Sequence, residues 1–347
     1  SGGEQMDASK QRLAAWLNIG KDELHFGPST SQNSYVLAQA LRQELKPGDE
    51  VIVTNQDHEA NVGVWSRLED AGIVVHEWKV DPNSAELHPM DLEALLNSRT
   101  RVVAFTHCSN VVGSINPVRE ITDLVHDAGA LAFVDGVSFC PHGMPDIPSL
   151  GADVYMFSLY KVYGPHLGVM YLSEKLNAEL PYQGHFFNAG NPAARFTPAG
   201  PDHAQVAAVN GVMDYMETVY SHHSDDNAPV ETRAAVVSGL FRDQEIRLLQ
   251  PLLDFMSDHP RIRMIGQDQA AMRAPTVAFS VEGQSSMELA ARLSEYGLGV
   301  GAGHFYAYRL VEALGYDMDD GVLRASFVHY TTPEEIERLI DALDREL

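Results

Sequence analysis

Short apolar runs alternate with stretches of helical spacing along most of the chain. The clearest runs lie at 102–106, 130–135 and 153–158. Each is rich in β-branched or aromatic residues, and each closes on a polar residue: Thr106, Asp135 and Ser158. Between the first two, Ile121, Leu124 and Val125 recur at one-face spacing and Gly129 supplies a stop. Strand, helix, strand in this order predicts parallel strands buried on both faces. The same reading predicts strands over 23–26, 50–54 and 72–78, with helices over 8–17, 34–44 and 91–96. A stretch rich in Gly, Asn and Pro runs from 183 to 201 and reads as a long loop before a helix over 205–220. A long helix over 230–255 then leads to strands over 274–281 and 321–326, with helices over 286–296, 307–314 and 332–346. The last opens with Thr332, Pro333 and Glu335, a capping box with proline at the first helical position. The expected fold is α/β: a large domain over 1–235 built on a mainly parallel sheet, and a smaller α+β domain over 236–347.

Composition narrows the class. The hydrophobic share is 45%, ordinary for a globular protein. No run of eighteen or more apolar residues is present, so no membrane span is expected. No secretory leader is visible at the start, which is Ser1 rather than Met. Two cysteines, Cys108 and Cys140, cannot build a disulfide framework, which points to a reducing, cytoplasmic compartment. A net charge of −24 argues against nucleic acid or an anionic membrane as partner.

In an open parallel sheet the ligand lies beyond the carboxyl ends of the strands. The residues there are His107, Asp135, and Ser158 leading into Lys161. Taken singly, each is an ordinary strand-end polar residue. Together they match what an enzyme using pyridoxal phosphate requires: an amine to hold the aldehyde as a Schiff base, a carboxylate for the pyridinium nitrogen, and a flat group on the ring face. Lys161, Asp135 and His107 fill these roles in that order. The segment GPSTSQN at 27–33 precedes a helix, and small polar residues there can cradle a phosphate. Metal sites are not expected. Asp57-His58-Glu59 lacks a second histidine at helical spacing, and His222 and His223 are adjacent and point apart. Gly297, Gly299 and Gly301 partly match a dinucleotide fingerprint but follow a helix, so that reading is rejected.

The segments THCSNVVG at 106–113, VDG at 134–136 and SLYKVYGPHLG at 158–168 resemble the class V pyridoxal-phosphate aminotransferases, in the cysteine desulfurase-like group. The resemblance implies a fold-type I enzyme and carries several roles residue by residue. Ser29, Thr30, Ser31 and Ser158 would face the cofactor phosphate. Tyr160 replaces a histidine donor to that phosphate. Ser138 stands where desulfurases hold the ring oxygen with a glutamine. Asn110 would reach the substrate carboxylate or the ring hydroxyl, and Arg324 would grip the carboxylate. His58 falls in a DH-x-AN segment at the pocket rim, either substrate-side or structural. The loop at 183–201, with Gly200, would cross to a neighbouring subunit, implying a homodimer with shared sites. Relatives carry an arm ahead of position 8 that also lines the pocket.

One departure changes the expected chemistry. His304, Phe305 and Tyr306 occupy the loop where desulfurases carry a nucleophilic cysteine, and no cysteine lies in that region. The expected activity is therefore aminotransfer or C–S cleavage on an amino acid, with Lys161 taking the α-proton. The alternatives are a cysteine desulfurase or selenocysteine lyase using another thiol such as Cys108, and a non-catalytic protein that binds pyridoxal phosphate.

Overall fold

The computed structural model describes residues 1–347, the side chain at position 193 excepted. Seven strands form the first sheet: β1 (Leu24–Gly27), β2 (Glu50–Thr54), β3 (Val74–Trp78), β4 (Thr100–Thr106), β5 (Leu131–Asp135), β6 (Val154–Ser158) and β7 (Gly168–Leu172). Their spatial order is β1-β7-β6-β5-β4-β2-β3. The five strands from β3 to β6 run parallel; β7 is reversed beside β6, and β1, antiparallel to β7, closes that edge in the direction of the other five. The sheet is thus mainly parallel, as the run-and-helix pattern predicts.

Alternation along the strands explains the burial. Ile52, Val103, Phe105, Val134, Tyr155 and Phe157 face one core. Val51, Val53, Val102, Ala104, Phe133 and Met156 face the other, beneath Leu37, Leu41 and Trp65. Side chains of period two, apolar at every step, need helices on both faces. The helices Thr30–Glu44 and Val118–Asp127 are among those that supply the cover. The first helix is longer than periodicity suggests. It spans Gly2–Trp16, because Ser1 and Glu4 form a capping box at its start.

Four antiparallel strands make the second sheet: β8 (Ile262–Ile265), β9 (Thr276–Val281), β10 (Gly301–Gly303) and β11 (Val322–Ser326), in the order β10-β11-β9-β8. The helices Ser286–Glu295 and Pro333–Glu346 pack on it around Phe279, Leu293 and Leu339. The expected division at 235/236 falls inside the helix Val230–Asp258. Ala234, Val237 and Phe241 of that helix belong to the first core, whereas Leu248, Leu252 and Met256 belong to the second.

Candidate active site

A cavity of about 170 Å³ opens at the carboxyl ends of β4, β5 and β6. Strand register sets its floor: β4 pairs Thr106 with Asp135, and β5 pairs Asp135 with Met156. Asp135 and Thr106 line the cavity, as do Ser158, Tyr160 and Lys161 just past β6.

One wall is a hydroxyl cradle. Ser29 caps the helix Thr30–Glu44, its oxygen accepting from the Gln32 amide at 3.1 Å. Thr30 Oγ1 and Ser158 Oγ are both buried and lie 2.7 Å apart. The strand β7 approaches this helix start so closely that a Cβ at Gly168 would sit 2.2 Å from the Ser29 carbonyl carbon and 2.4 Å from the Thr30 nitrogen. Glycine is therefore required at that point for the cradle to close. Ser31 also lines the cavity, as do Tyr160 and His166, whose rings stack at 4.9 Å and 9°. The N–H groups and positive end of a helix suit an anion at this wall.

The opposite wall holds the charged pair. Asp135 accepts the Val137 amide at 2.8 Å. Burial pushes its carboxyl up, while the Val137 amide and the Lys161 charge pull it down. Burial pushes the Lys161 amine down, opposed by Asp135 and reinforced by Arg324. The two groups act on each other across the cavity, and the desolvated lysine gives up its proton more readily than an exposed one. Ser138 also lines the cavity, next to Val137.

His107, the residue expected on the ring face, is not among those that line the cavity; Thr106, Cys108 and Asn110 are. It stacks on Phe139 at 3.6 Å and 12°, and its Nδ1 lies 2.8 Å from the Tyr155 hydroxyl. Full burial holds its pKa down at about 3, so it is neutral. His58, beyond β2, joins Tyr160 and His166 as a flat group on the cavity wall. Its Nδ1 accepts the Ala60 amide at 3.1 Å, which leaves Nε2 to carry the hydrogen. Burial, then the Lys161 and Arg324 charges, push His58 down to about 4. His58 lies just past the end of β2, between the acidic Asp57 and Glu59. Among the described residues no cluster of three or more His, Cys, Asp or Glu is arranged to hold a metal ion.

Asn110, on the cavity wall, is tied to two further segments that lie behind it. Asn110 Nδ2 donates to the Phe305 carbonyl at 2.8 Å. A carbonyl only accepts, so the amide nitrogen must face Phe305 and the buried Oδ1 is left without a partner. The free atom of Asn110 is an acceptor, which suits a ligand N–H or O–H and repels a carboxylate. Arg324 Nη1 donates to the Asn110 carbonyl at 2.8 Å, and its Cζ sits 4.0 Å from the centroid of the Phe305 ring. Arg324 is not on the cavity wall, but its charge acts on Lys161 and His58, which are. Phe305 and Tyr306 have φ of 50° and 60°. Each bulky side chain in this region costs about 1–2 kcal/mol. The Tyr306 carbonyl accepts the Glu59 amide at 2.8 Å and its ring stacks on His58 at 5.3 Å, contacts that offset the cost.

Gly200, expected to reach a neighbouring subunit's site, lines within its own chain a separate groove of about 720 Å³ bounded by Phe26, Tyr35 and Phe196. Cys108 reaches the wall only as a buried thiol directed at the Gly113 carbonyl, 3.4 Å away, and burial pushes it up to about 12.

These residues fit pyridoxal phosphate. A buried amine and carboxylate share one cavity with a paired-hydroxyl cradle at a helix start, and an unpartnered Asn110 oxygen waits for a donor. The fold is that of a fold-type I enzyme. The aminotransferase class-V family model matches residues 2–223 and 240–339, and the chain belongs to this family. It is similar to an aminotransferase-like protein of Gibberella zeae, 38% identical over 344 residues that cover 97% of this chain and 82% of the relative. A cysteine desulfurase-like protein of Aspergillus flavus is 31% identical over 350 residues, covering 97% and 76%. The crystal structure of the cysteine desulfurase CsdA from Escherichia coli matches with a TM-score of 0.84 at 25% identity, covering 99% of this chain and 84% of that one. The chain is thus an enzyme of a family that acts on amino acids with pyridoxal phosphate. Among the described residues, no helix is long and apolar enough to cross a membrane.

Proposed function

We propose that this enzyme removes the α-proton of an amino acid, with Lys161 Nζ as the base, in the course of aminotransfer or C–S cleavage. One observation carries the reading: Lys161 and Asp135 share a single cavity with the Thr30 and Ser158 hydroxyls. Bound there, pyridoxal phosphate supplies the electron sink. Thr30, Ser158 and the helix start hold its phosphate, and Asp135 keeps the proton on its ring nitrogen. Arg324 binds the substrate carboxylate through a guanidinium edge, and Asn110 Oδ1 accepts a ligand hydrogen. The desolvated Lys161 amine receives the Cα proton. His58 is uncharged at neutral pH and presents a flat face without competing for that proton.

Sulfur chemistry through a protein thiol has less support. Tyr306 and its neighbours offer no thiol, and the Cys108 thiol, held near 12, gives almost no thiolate at neutral pH. Two copies sharing their sites is part of the proposal. The groove at Gly200 adjoins the cradle, and Phe186 and Phe187 of the same loop region are strongly exposed. A cytoplasmic location fits two buried, unpaired thiols.

The experiment is α-proton exchange in deuterated water over an amino-acid panel, with the cofactor followed by absorbance. Yellow protein with exchange that vanishes in Lys161→Ala is expected. Colourless protein that takes up no cofactor sinks the reading, and bound cofactor with no exchange favours a binding role alone. Sulfide release from cysteine that is lost in Cys108→Ser reinstates the desulfurase alternative. Light scattering of the eluted protein reads the dimer.

A further inference from the structure

The two left-handed residues at 305 and 306 hold a specific object in place. Phe305 lies with its ring on the Arg324 guanidinium, 4.0 Å from Cζ to the centroid. Its carbonyl takes the Asn110 side-chain amide, and the Asn110 main-chain carbonyl takes Arg324 Nη1, each at 2.8 Å. These three contacts close a circuit through the segment after β4, the loop after β10, and β11. One face of the guanidinium and one of its N–H groups are committed.

What is left free matters. Among the described residues no carboxylate pairs with Arg324, and burial alone perturbs it. In a chain of net charge −24, a half-buried cation without an anion is kept for one that arrives. Asn110 cannot share that load, because its free atom is an acceptor. The carboxylate therefore falls to Arg324 alone, and a planar fork binds a carboxylate well only in the right orientation.

We propose that Phe305 is a positioning residue for the substrate carboxylate: its ring and its carbonyl lock Arg324 so that the remaining N–H edge is presented in one orientation. The inference rests on the reading of Arg324 as the carboxylate receptor. It assigns to the loop at 304–306 a binding role that needs no thiol. Left-handed φ at Phe305 is what lets one residue offer both its ring and its carbonyl to this circuit.

Two matched probes test it, L-alanine and L-alaninamide, which differ at the carboxylate. Their binding to the holoenzyme is read from the visible absorbance of the bound cofactor, not from turnover. The unaltered protein should prefer the acid, and Arg324→Ala should erase the preference. Phe305→Leu should cut the preference about tenfold, the scale of one desolvated cation–π contact. Phe305→Tyr keeps the ring and should restore it. A melting temperature and cofactor content unchanged in Phe305→Leu separate positioning from misfolding. A second reading uses cofactor-free protein and phenylglyoxal, which attacks guanidinium groups. Arg324 should react faster in Phe305→Leu than in Phe305→Tyr, as peptide mass spectrometry reports. A preference retained in Phe305→Leu, with equal phenylglyoxal rates, overturns the proposal while the Arg324 reading stands. A preference that survives Arg324→Ala, or is absent from the unaltered protein, overturns both.

Discussion

Arg273 is fully buried and pairs with no carboxylate, yet its guanidinium joins four carbonyls. Nη1 donates to Ile265 at 3.2 Å and Gln267 at 2.6 Å; Nη2 donates to Val112 at 2.6 Å and Thr276 at 2.8 Å. It thereby ties β8 and β9 to the segment that carries Asn110. Replacement by methionine keeps a long side chain and removes every donor. The carbonyls of Ile265 and Thr276 sit in strands, whereas Val112 and Gln267 lie in connecting segments and take no other backbone hydrogen bond. The buried Val112 acceptor orphaned in this way costs about 1–3 kcal/mol and the half-buried Gln267 acceptor about 1 kcal/mol, so the two loop carbonyls together cost roughly 2–4 kcal/mol. Relief from burying the charge offsets part of that; burial already pulls the Arg273 pKa down to about 10. With a net loss of about 2 kcal/mol and an unfolding entropy of about 2.1 cal/mol/K per residue, Arg273→Met should melt roughly 3 °C below the unaltered protein. Differential scanning calorimetry measures this directly. Arg273→Lys should fall between the two, since a single ammonium cannot span all four carbonyls. A shift of less than about 1 °C in Arg273→Met would refute the inference that these carbonyls depend on the guanidinium.

Two further outcomes follow from the site. Thr30→Val keeps the shape of the cradle and deletes one hydroxyl beside Ser158. A hydrogen bond to a charged group is worth about 1.5–3 kcal/mol, so pyridoxal-phosphate affinity should fall about 10- to 100-fold by titration of the cofactor-free protein; equal affinity would move the phosphate elsewhere. Burial raises the Asp57 carboxyl to about 8, with Asn61 and Thr54 hydrogen bonds pulling it back and Asp135 pushing it further up. Between its unfolded value of 3.8 and about 8 the folded protein holds a proton that the unfolded chain lacks, so this contribution to stability is present at acidic pH and lost as pH rises through 8. Asp57→Asn escapes that loss, and its melting temperature relative to the unaltered protein should rise between pH 6 and pH 9; parallel curves would contradict the assignment.

Much of the frame was legible because a sheet covered on both faces leaves continuous apolar runs. The runs at 102–106, 130–135 and 153–158 became β4, β5 and β6 within one or two residues. Thr332, Pro333 and Glu335 formed the expected capping box. β7 was not read, although its run is as apolar as the others, because Gly168 starts it directly after a Pro-His turn. β10 is three residues of Gly301–Gly303 and carries no hydrophobic signal at all. At the site, motif spacing brought Thr30, Asp135, Ser158 and Lys161 to one cavity. It left the direction of His107 open, since the orientation of a side chain just past a strand depends on register, which spacing alone leaves free. Asn110 shows the same limit more finely. Its position was legible, but which of its two amide atoms is free depends on the Phe305 carbonyl, nearly two hundred residues away in sequence.

The helix Val230–Asp258 gives its first turns to one core and its later turns to the other. A shared rod of this kind makes the two halves melt together. Unravelling the C-terminal sheet strips Leu248 and Leu252 of their neighbours, frays the helix backward, and loosens Phe241 from the body that holds Lys161. A cut in the backbone near residue 245 would therefore not release two sturdy fragments, and proteolysis should proceed from intact chain to small peptides without a lasting intermediate.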